Sequence, residues 1–168
     1  MPASIILIGL PGAGKTTIGC ELAKKLDFAF LDTDTLIEHL EGYSISEIFE
    51  TKGEENFRKI EASVISSLNG VKNKVISIGG GAFQQRDNRE NLQSIGKIVY
   101  LYSTPEIIYQ RIKNKQGRPL LDCENLLVKL EELYAQRHET YMLADYKIDT
   151  SNLNQYNVVE ELLRIING

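Results

Sequence analysis

The chain has 168 residues, 42% of them hydrophobic, which suffices for one globular core of ordinary domain size. Its 19 lysines and arginines against 23 aspartates and glutamates give a net charge of -4, so it lacks the basic surface expected of a protein with a nucleic-acid partner. The apolar run at residues 5–10 is too short to cross a bilayer and has no basic segment before it, so we expect neither a membrane partner nor a targeting peptide.

The cysteines indicate free thiols, and the lack of linkers indicates a single domain. Cys20 and Cys123 lie far apart and match neither a metal-binding spacing nor a secreted disulfide framework. The sequence contains no repeat, low-complexity tract or interdomain linker. We therefore expect one domain over residues 1–168, with free thiols, in a reducing cytoplasmic environment, and we expect a monomer.

In chain order, five short apolar segments rich in β-branched or aromatic residues alternate with segments of helical spacing. They predict strands at residues 4–10, 28–31, 74–78, 97–102 and 146–148. Such alternation favours right-handed crossovers and a parallel sheet covered on both faces. We therefore expect a three-layer α/β/α fold with a five-stranded parallel sheet. Ser44 followed by Glu47 also predicts a capping box at the start of a helix.

The first predicted strand leads into GLPGAGKT at residues 9–16, which fits the phosphate-binding pattern G-x-x-x-x-G-K-[ST]. Its glycines would let backbone N–H groups wrap a phosphate at a helix N-terminus, where the partial positive charge favours an anion. Lys15 would reach the β- and γ-phosphates and Thr16 would bind Mg²⁺. A chance glycine-rich turn is the alternative, but such a turn would not require lysine and threonine at this offset. The motif predicts nucleotide binding, not a reaction type.

The rest of the chain narrows the class of P-loop protein. A GTPase would also carry D-x-x-G and N-K-x-D motifs, and neither occurs. The third predicted strand runs into three glycines at residues 79–81, where motor-type ATPases usually have a magnesium-binding carboxylate. That acid is expected from the second strand, which ends in Leu31-Asp32-Thr33-Asp34 at the carboxyl edge of the sheet, beside the phosphate loop.

The two aspartates after the second strand can serve two roles. We assign Asp32 to Mg²⁺ and Asp34 to an acceptor hydroxyl, which it would orient and deprotonate. The alternative is that they only cap the helix that starts near Thr35.

Two arginines predict an acidic acceptor. Arg58 has Glu54 and Glu61 within reach on the same helix, although a solvated surface salt bridge would have the same spacing. Arg137 falls on the apolar stripe that includes Leu130 and Leu133, so its guanidinium needs an anion. That anion is either an internal carboxylate or a substrate carboxylate held by the planar fork of the arginine.

Two loops predict further ligand contacts. The glycines at residues 79–81 would permit a backbone approach to a ligand that any Cβ would block. The polar sequence KNKQGRPLL at residues 113–121 lies between two helical segments and favours a mobile lid that brings Arg118 over the phosphates.

Together these residues resemble the shikimate kinase family over almost the whole chain. The matching elements are GLPGAGKTT at 9–17, DTD at 32–34, IFETKGEENFR at 48–58, GGG at 79–81, RPLL at 118–121, and Arg137 followed by Tyr141. That family is related to the nucleoside monophosphate kinases. It transfers the γ-phosphate of ATP to the 3-hydroxyl of shikimate on the route to chorismate and the aromatic amino acids.

The resemblance implies a sheet order of 2-3-1-4-5, a substrate-binding region at residues 33–60 and a lid over residues 113–123. It implies Mg²⁺ as cofactor and ATP as co-substrate, with Lys15, Asp34 and Arg118 as catalytic residues. The residues implied to bind shikimate are Asp34, Arg58, Gly80, Gly81 and Arg137. Those implied to bind ATP are Gly12, Ala13, Gly14, Lys15, Thr16, Thr17, Arg111, Arg118 and Asn154, the last standing where some members have arginine.

Two rival functions remain open on the sequence. A kinase for another hydroxylated acid or for a nucleoside monophosphate would also combine a P-loop with substrate arginines. A catalytically silent nucleotide-binding module is the other. Against it stands the joint presence of Lys15, Asp32, Asp34, Arg58, Arg118 and Arg137.

Overall fold

The computed structural model of the chain describes residues 3–114 and 125–168. Its strands are β1 Ser4–Ile8, β2 Ala29–Asp32, β3 Lys74–Ser77, β4 Gly96–Tyr102 and β5 Tyr146–Asp149. The helices of the described residues are α1 Lys15–Leu26, α2 Thr33–Glu41, α3 Ile45–Ser67, α4 Arg86–Ile95, α5 Pro105–Ile112, α6 Leu126–Tyr141 and α7 Gln155–Asn167, with a 3₁₀ turn at Ala82–Gln84. The predicted lid at residues 113–123, including Arg118, lies almost wholly outside the described residues.

The strands form one parallel sheet in the order β2-β3-β1-β4-β5, which confirms the predicted topology. The central strand β1 pairs with both β3 and β4, and Ile6 lies opposite Ile76 on one side and Ile98 on the other. Every residue of β1 is buried. The carboxyl ends of β1 and β3 therefore lie side by side at one edge of the sheet.

The two faces of the sheet carry separate cores, as a three-layer fold requires. Successive residues of β1 alternate between them, since Ile6 belongs to one apolar cluster and Ile5 to the other. Residues of α3, α4, α5 and α6 cover the first face, and residues of α1 and α7 cover the second. A smaller cluster of Ile37, Ile48, Phe57 and Val64 joins α2 to α3.

The region from residue 33 to residue 60 contains a cap and a kink. Ser44 and Glu47 form the predicted capping box at the start of α3. At Gly53 the backbone leaves the helical region, with φ 78 and ψ 167, and α3 bends there. Phe49 and Phe57 consequently pack with ring centroids 4.6 Å apart, whereas a straight helix would separate them by about 12 Å along its axis.

No helix within residues 3–114 and 125–168 is both long enough and apolar enough to cross a membrane.

Candidate active site at the carboxyl edge of the sheet

The phosphate loop connects β1 to α1 as predicted. Gly12 and Gly14 have φ of 84 and 93, values that favour glycine, and Gly14 stands at the N-terminus of α1 without a side-chain cap. A Cβ at Gly9 would come within 2.8 Å of the Leu101 carbonyl oxygen. Lys15 Nζ donates to the carbonyl oxygens of Gly9, at 2.7 Å, and Leu10, at 3.1 Å. The loop therefore presents backbone N–H groups and one ammonium group, which together suit an anion.

Asp32 acts as a helix cap and also faces the phosphate loop. Its Oδ1 accepts from the backbone N–H groups of Asp34, at 2.9 Å, and Thr35, at 3.1 Å, and so caps α2. Its Oδ2 accepts from Thr16 Oγ1 at 3.3 Å. The two alternatives considered for Asp32 are therefore compatible, because each uses a different oxygen of the same carboxylate.

The pair formed by Thr16 and Asp32 fits a Mg²⁺ ion that shares its ligands with a nucleotide. Mg²⁺ takes oxygen donors and is usually bound through one or two protein groups together with phosphates and water. Within the described residues there is no cluster of three or more His, Cys, Asp or Glu side chains able to hold a metal. One hydroxyl and one carboxylate beside a phosphate loop match the shared mode of binding.

A cavity of about 330 Å³ lies beside the phosphate loop. Its walls come from the loop and α1, from the end of α5, from the segment between β5 and α7, and from the first turn of α7. They combine apolar side chains with a few polar groups. This composition is typical of a small-molecule site. The lining residues are Gly12, Ala13, Gly14, Thr17, Ile18, Arg111, Ile112, Thr150, Leu153, Gln155 and Val158.

Arg111 and Asn154, both predicted to contact ATP, differ in their relation to this cavity. The Arg111 guanidinium lies in the wall and donates to the Thr150 carbonyl oxygen at 2.6 Å and to Thr150 Oγ1 at 3.2 Å. Burial lowers the pKa of Arg111. Asn154 instead caps α7, where its Oδ1 accepts from Asn157 N at 2.9 Å, and its neighbours Leu153 and Gln155 line the cavity. A contact between Asn154 and a nucleotide stays a prediction.

The three glycines that follow β3 make room for three charged side chains. A Cβ at Gly79 would lie 2.6 Å from Asp34 Oδ1, and one at Gly80 would lie 2.6 Å from Arg137 Nη1. A Cβ at Gly81 would lie 2.5 Å from Arg58 Nη2. We call residues 79–81 the acceptor turn. It brings together the three charged residues that the sequence assigned to the acceptor, although they come from three different helices.

Arg58 is held by one buried and one exposed carboxylate. Its Nη1 lies 2.8 Å from Glu61 Oε1, and the Glu61 side chain is 1% exposed. Its Nη2 lies 3.6 Å from Glu54, which is 71% exposed. Burial raises the pKa of Glu61, and the positive charge of Arg58 opposes that rise. Of the two alternatives considered for Arg58, the solvated surface salt bridge therefore applies only to the contact with Glu54. Glu61 orients Arg58 from inside the protein.

Arg137 lies near the buried Glu61, and its charge acts to lower the pKa of that carboxyl, but the described residues show no direct ion pair comparable to that of Arg58. Among the ion pairs of the described residues, none includes Arg137. Its guanidinium lies against Gly80 of the acceptor turn, one helical turn before Tyr141 on α6. The internal ion pair considered from the sequence is not formed within this part of the chain, and a ligand anion remains the alternative.

The ionisation of Asp34 is tuned by its surroundings. Burial raises the pKa of Asp34 to about 6, and the nearby negative charge of Asp32 adds to this rise. Lys15 and Arg58 act in the opposite direction. A carboxyl group whose pKa lies near neutral pH can accept a proton in its ionised form and release it again.

Two residues that position this site were not assigned a role from the sequence. Thr33 Oγ1 accepts from Gly79 N at 3.1 Å and donates to the Ser77 carbonyl oxygen at 3.3 Å, which fixes the start of α2 to the acceptor turn. The Tyr141 hydroxyl donates to the Gly80 carbonyl oxygen. Two features of the sequence could have identified them: Thr33 stands between two assigned aspartates, and Tyr141 follows Arg137 by one helical turn.

Comparison with known proteins gives a consistent result. The chain matches the family described as Shikimate kinase over residues 11–167. It is 41% identical to a shikimate kinase of Caldanaerobacter subterraneus, over 96% of this chain and 94% of that protein. It is 42% identical to one of Dechloromonas aromatica, over 98% and 90%. A solved structure of shikimate kinase from Acinetobacter baumannii in complex with shikimate superposes with a TM-score of 0.92 at 40% identity, covering 99% of this chain and 93% of that one.

Proposed function

Because the chain belongs to the shikimate kinase family, we propose that it transfers the γ-phosphate of ATP to the 3-hydroxyl of shikimate. The products are ADP and shikimate 3-phosphate, an intermediate in the synthesis of chorismate and the aromatic amino acids. One observation carries the proposal: the acceptor turn packs against Asp34, Arg58 and Arg137 together, beside the phosphate loop. One carboxylate and two guanidinium groups suit an acceptor that carries both a hydroxyl and a carboxylate.

The nucleotide side of the reaction uses the phosphate loop and the adjoining cavity. Backbone N–H groups of the loop bind the phosphates, Lys15 neutralises their charge, and the nucleoside occupies the cavity lined by Arg111 and Thr150. The residues that would hold Mg²⁺ are Thr16 and Asp32, and the ion would neutralise charge on the phosphate oxygens. The residues assigned to ATP are Gly12, Ala13, Gly14, Lys15, Thr16, Thr17, Arg111, Arg118 and Asn154.

The acceptor side of the reaction uses charge and a proton acceptor. Arg58 and Arg137 bind the shikimate carboxylate, with Glu61 keeping Arg58 in place. Asp34 orients the 3-hydroxyl toward the phosphate loop and accepts its proton. Gly80 and Gly81 contribute by leaving space for the two arginines. We expect the protein to work as a cytoplasmic monomer, without nucleic-acid or membrane partners.

The decisive experiment measures ADP release from ATP with and without shikimate. We expect release to depend on shikimate and on Mg²⁺, because water is a poor competitor for the phosphate when the site binds its acceptor in position. Gluconate and a nucleoside monophosphate, offered as alternative acceptors, separate this function from its enzymatic rivals. Equal turnover without any acceptor, or preference for one of the alternatives, would contradict the proposal.

A further inference from the structure

The hydroxyl of Tyr141 lies between the two loops that bind the two substrates. We propose that Tyr141 is a positioning residue that fixes the acceptor turn relative to the phosphate loop and thereby sets the alignment of the acceptor hydroxyl with the γ-phosphate. This inference rests on the proposed function, and it assigns a role to a residue that the mechanism above places against neither substrate, although its hydroxyl also interacts with the Arg137 guanidinium.

The contacts of the hydroxyl define the role. It donates to the Gly80 carbonyl oxygen in the acceptor turn and lies 3.3 Å from the Gly9 carbonyl oxygen at the start of the phosphate loop. A phenol has a single proton to donate, so the two carbonyl oxygens share it. The Gly9 oxygen also accepts from Lys15 Nζ at 2.7 Å. One buried hydroxyl therefore contacts the backbone of both loops. Its contact in the phosphate loop is the same oxygen that accepts from the phosphate-binding lysine.

The position of this hydroxyl is fixed by packing. Tyr141 is completely buried, and its ring centroid lies 5.0 Å from that of Tyr100 and 6.4 Å from that of Phe83. The same helix, α6, carries Arg137 against Gly80. A movement of α6 would thus shift an acceptor arginine and the hydroxyl together. Burial also raises the pKa of Tyr141 to about 12, so the phenol stays protonated and able to donate over an ordinary assay range.

The spacing of the two loops explains why a single hydrogen bond matters. The phosphate loop follows β1 and the acceptor turn follows β3, and these strands are neighbours. Past the backbone bond from Ile78 N to the Leu7 carbonyl oxygen, at 3.1 Å, no backbone hydrogen bond joins the two loops among the described residues. Among the described side chains, Tyr141 is the one whose hydroxyl contacts a backbone oxygen of each loop. Small errors in alignment are costly for group transfer, since reactivity depends steeply on the placement of the reacting atoms.

The test compares Tyr141→Phe with Tyr100→Phe. Both variants lose one buried phenol hydroxyl and keep the ring, but the Tyr100 hydroxyl pairs with His138 Nδ1 at 3.0 Å and touches neither loop. We expect Tyr141→Phe to lower kcat by roughly 10-fold, the value of a hydrogen bond whose loss also permits misalignment. Its dissociation constant for a non-hydrolysable ATP analogue should change less than about 3-fold, and that for shikimate, which also depends on Arg137, should change less than kcat does. Tyr100→Phe should keep the wild-type kcat.

A conservative rescue distinguishes positioning from simple stability. Incorporation of 4-aminophenylalanine at position 141 restores an N–H donor on the same ring and should recover most of kcat. Assays at a reduced temperature with saturating shikimate keep a destabilised Phe variant folded. An unchanged kcat, an equal effect of Tyr100→Phe, or a kcat loss that the amino variant does not recover would overturn the inference. Shikimate-independent turnover by the wild-type protein would instead count against the proposed function.

Discussion

At the scale of single residues, Asp34 is placed where its charge is useful for transfer and unfavourable for folding. It is largely buried and close to Asp32, and these two causes raise its pKa to about 6. The ionised form is the one that can accept the proton of the acceptor hydroxyl. Its activity and its stability should therefore depend on pH in opposite directions.

The first prediction concerns the rate of transfer. If ionised Asp34 is required, kcat/KM should rise with pH and level off above the pKa of about 6. Asp34→Asn should slow transfer by roughly 10²-fold to 10⁴-fold, nearer the lower limit, because phosphoryl transfer demands little activation of the nucleophile. Single-turnover kinetics at saturating shikimate measure this step. Near-normal transfer by the variant would mean that Asp34 has only a structural role. A loss of nucleotide affinity that exceeds the loss in the transfer rate would mean that Asp34 is a metal ligand.

The second prediction concerns the free energy of unfolding. The folded pKa of Asp34, about 6, lies above its ordinary value of 3.8, so the folded state binds the proton more tightly. This stabilisation is complete below about pH 4 and is lost as pH rises through the folded pKa. Asp34→Asn should therefore be more stable than wild type near neutral pH by about 3 kcal/mol, and the difference should shrink in acid. Urea denaturation at both pH values measures it.

An exposed carboxyl provides the control for that measurement. Glu55 is 86% exposed, so Glu55→Gln should change the unfolding free energy little at either pH. If Asp34→Asn is no more stable than wild type at neutral pH, burial of the ionised Asp34 carboxylate does not destabilise the folded state.

The third prediction concerns Arg137. Its truncation to alanine should weaken shikimate binding by about 2 to 5 kcal/mol, because a desolvated charge on the ligand would lose its partner. Lysine should restore the affinity poorly, since it lacks the planar fork. Calorimetry with shikimate and with an ATP analogue measures both affinities, and the latter should hardly change. Arg86, which is 82% exposed, supplies a matched Arg→Ala control. An equal loss for both ligands would point to misfolding.

At the scale of elements, the acceptor turn explains the three glycines in a way that differs from the sequence-based expectation. We expected them to admit a ligand to the backbone, whereas their missing Cβ atoms admit the site's own side chains. These neighbours are separated from the turn by tens of residues along the chain, so no local pattern could identify them. By contrast, the spacing within the phosphate loop is local, and the sequence predicted that element directly.

The fourth prediction tests this explanation of the turn. A Cβ at Gly80 would meet Arg137 Nη1, the mobile end of a long side chain, so Gly80→Ala should displace the guanidinium without unfolding the protein. We expect weak shikimate binding, as in Arg137→Ala, together with a near-normal melting temperature and nucleotide affinity. Combining the two substitutions should then add little further loss. Fully additive losses would show that the glycine and the arginine act independently.

In the region at residues 33–60, the sequence did not predict the exact boundaries of the helices. The sequence placed the helix after β2 near Thr35, but Asp32 caps it, so α2 begins at Thr33 without an intervening loop. The bend at Gly53 was also not predicted, because a glycine within a helical pattern can either continue or break the helix. The packing of Phe49 on Phe57 accompanies the break in this chain.

At the scale of the whole molecule, the fold was predictable because its strands are short, buried and regularly separated by helices. The sheet order came from the resemblance to the family, and the observed order agrees with it. Which glycine faces which charge, and how Tyr141 reaches two loops, depend on packing between distant segments. Such contacts are decided by the tertiary structure, which a single sequence does not display.

The fifth prediction uses the melting temperature of the whole molecule to detect binding at the shikimate site and at the nucleotide site. A ligand that binds only the folded state stabilises it, by about 2.7 kcal/mol at 100 times its dissociation constant. Shikimate and a Mg²⁺-bound ATP analogue should therefore each raise the melting temperature. Lys15→Ala should abolish most of the nucleotide shift and keep the shikimate shift, because Lys15 stands half-buried at the first residue of α1 and belongs to none of the apolar cores. Loss of both shifts would indicate that the two sites are not separable.

The pairing of β1 with β3 also bears on how acceptor preference could change in this enzyme. The donor loop and the acceptor turn extend from adjacent strands, so the strand ends from which they start are held at a hydrogen-bonded backbone spacing of about 4.8 Å. Side-chain substitutions do not alter that spacing. Strand pairing thus fixes where the two loops begin, Tyr141 fixes their placement beyond the strands, and the other side chains around the turn select the acceptor. Redesign toward a different hydroxylated acid can therefore be confined to the side chains around the acceptor turn, with Tyr141 kept.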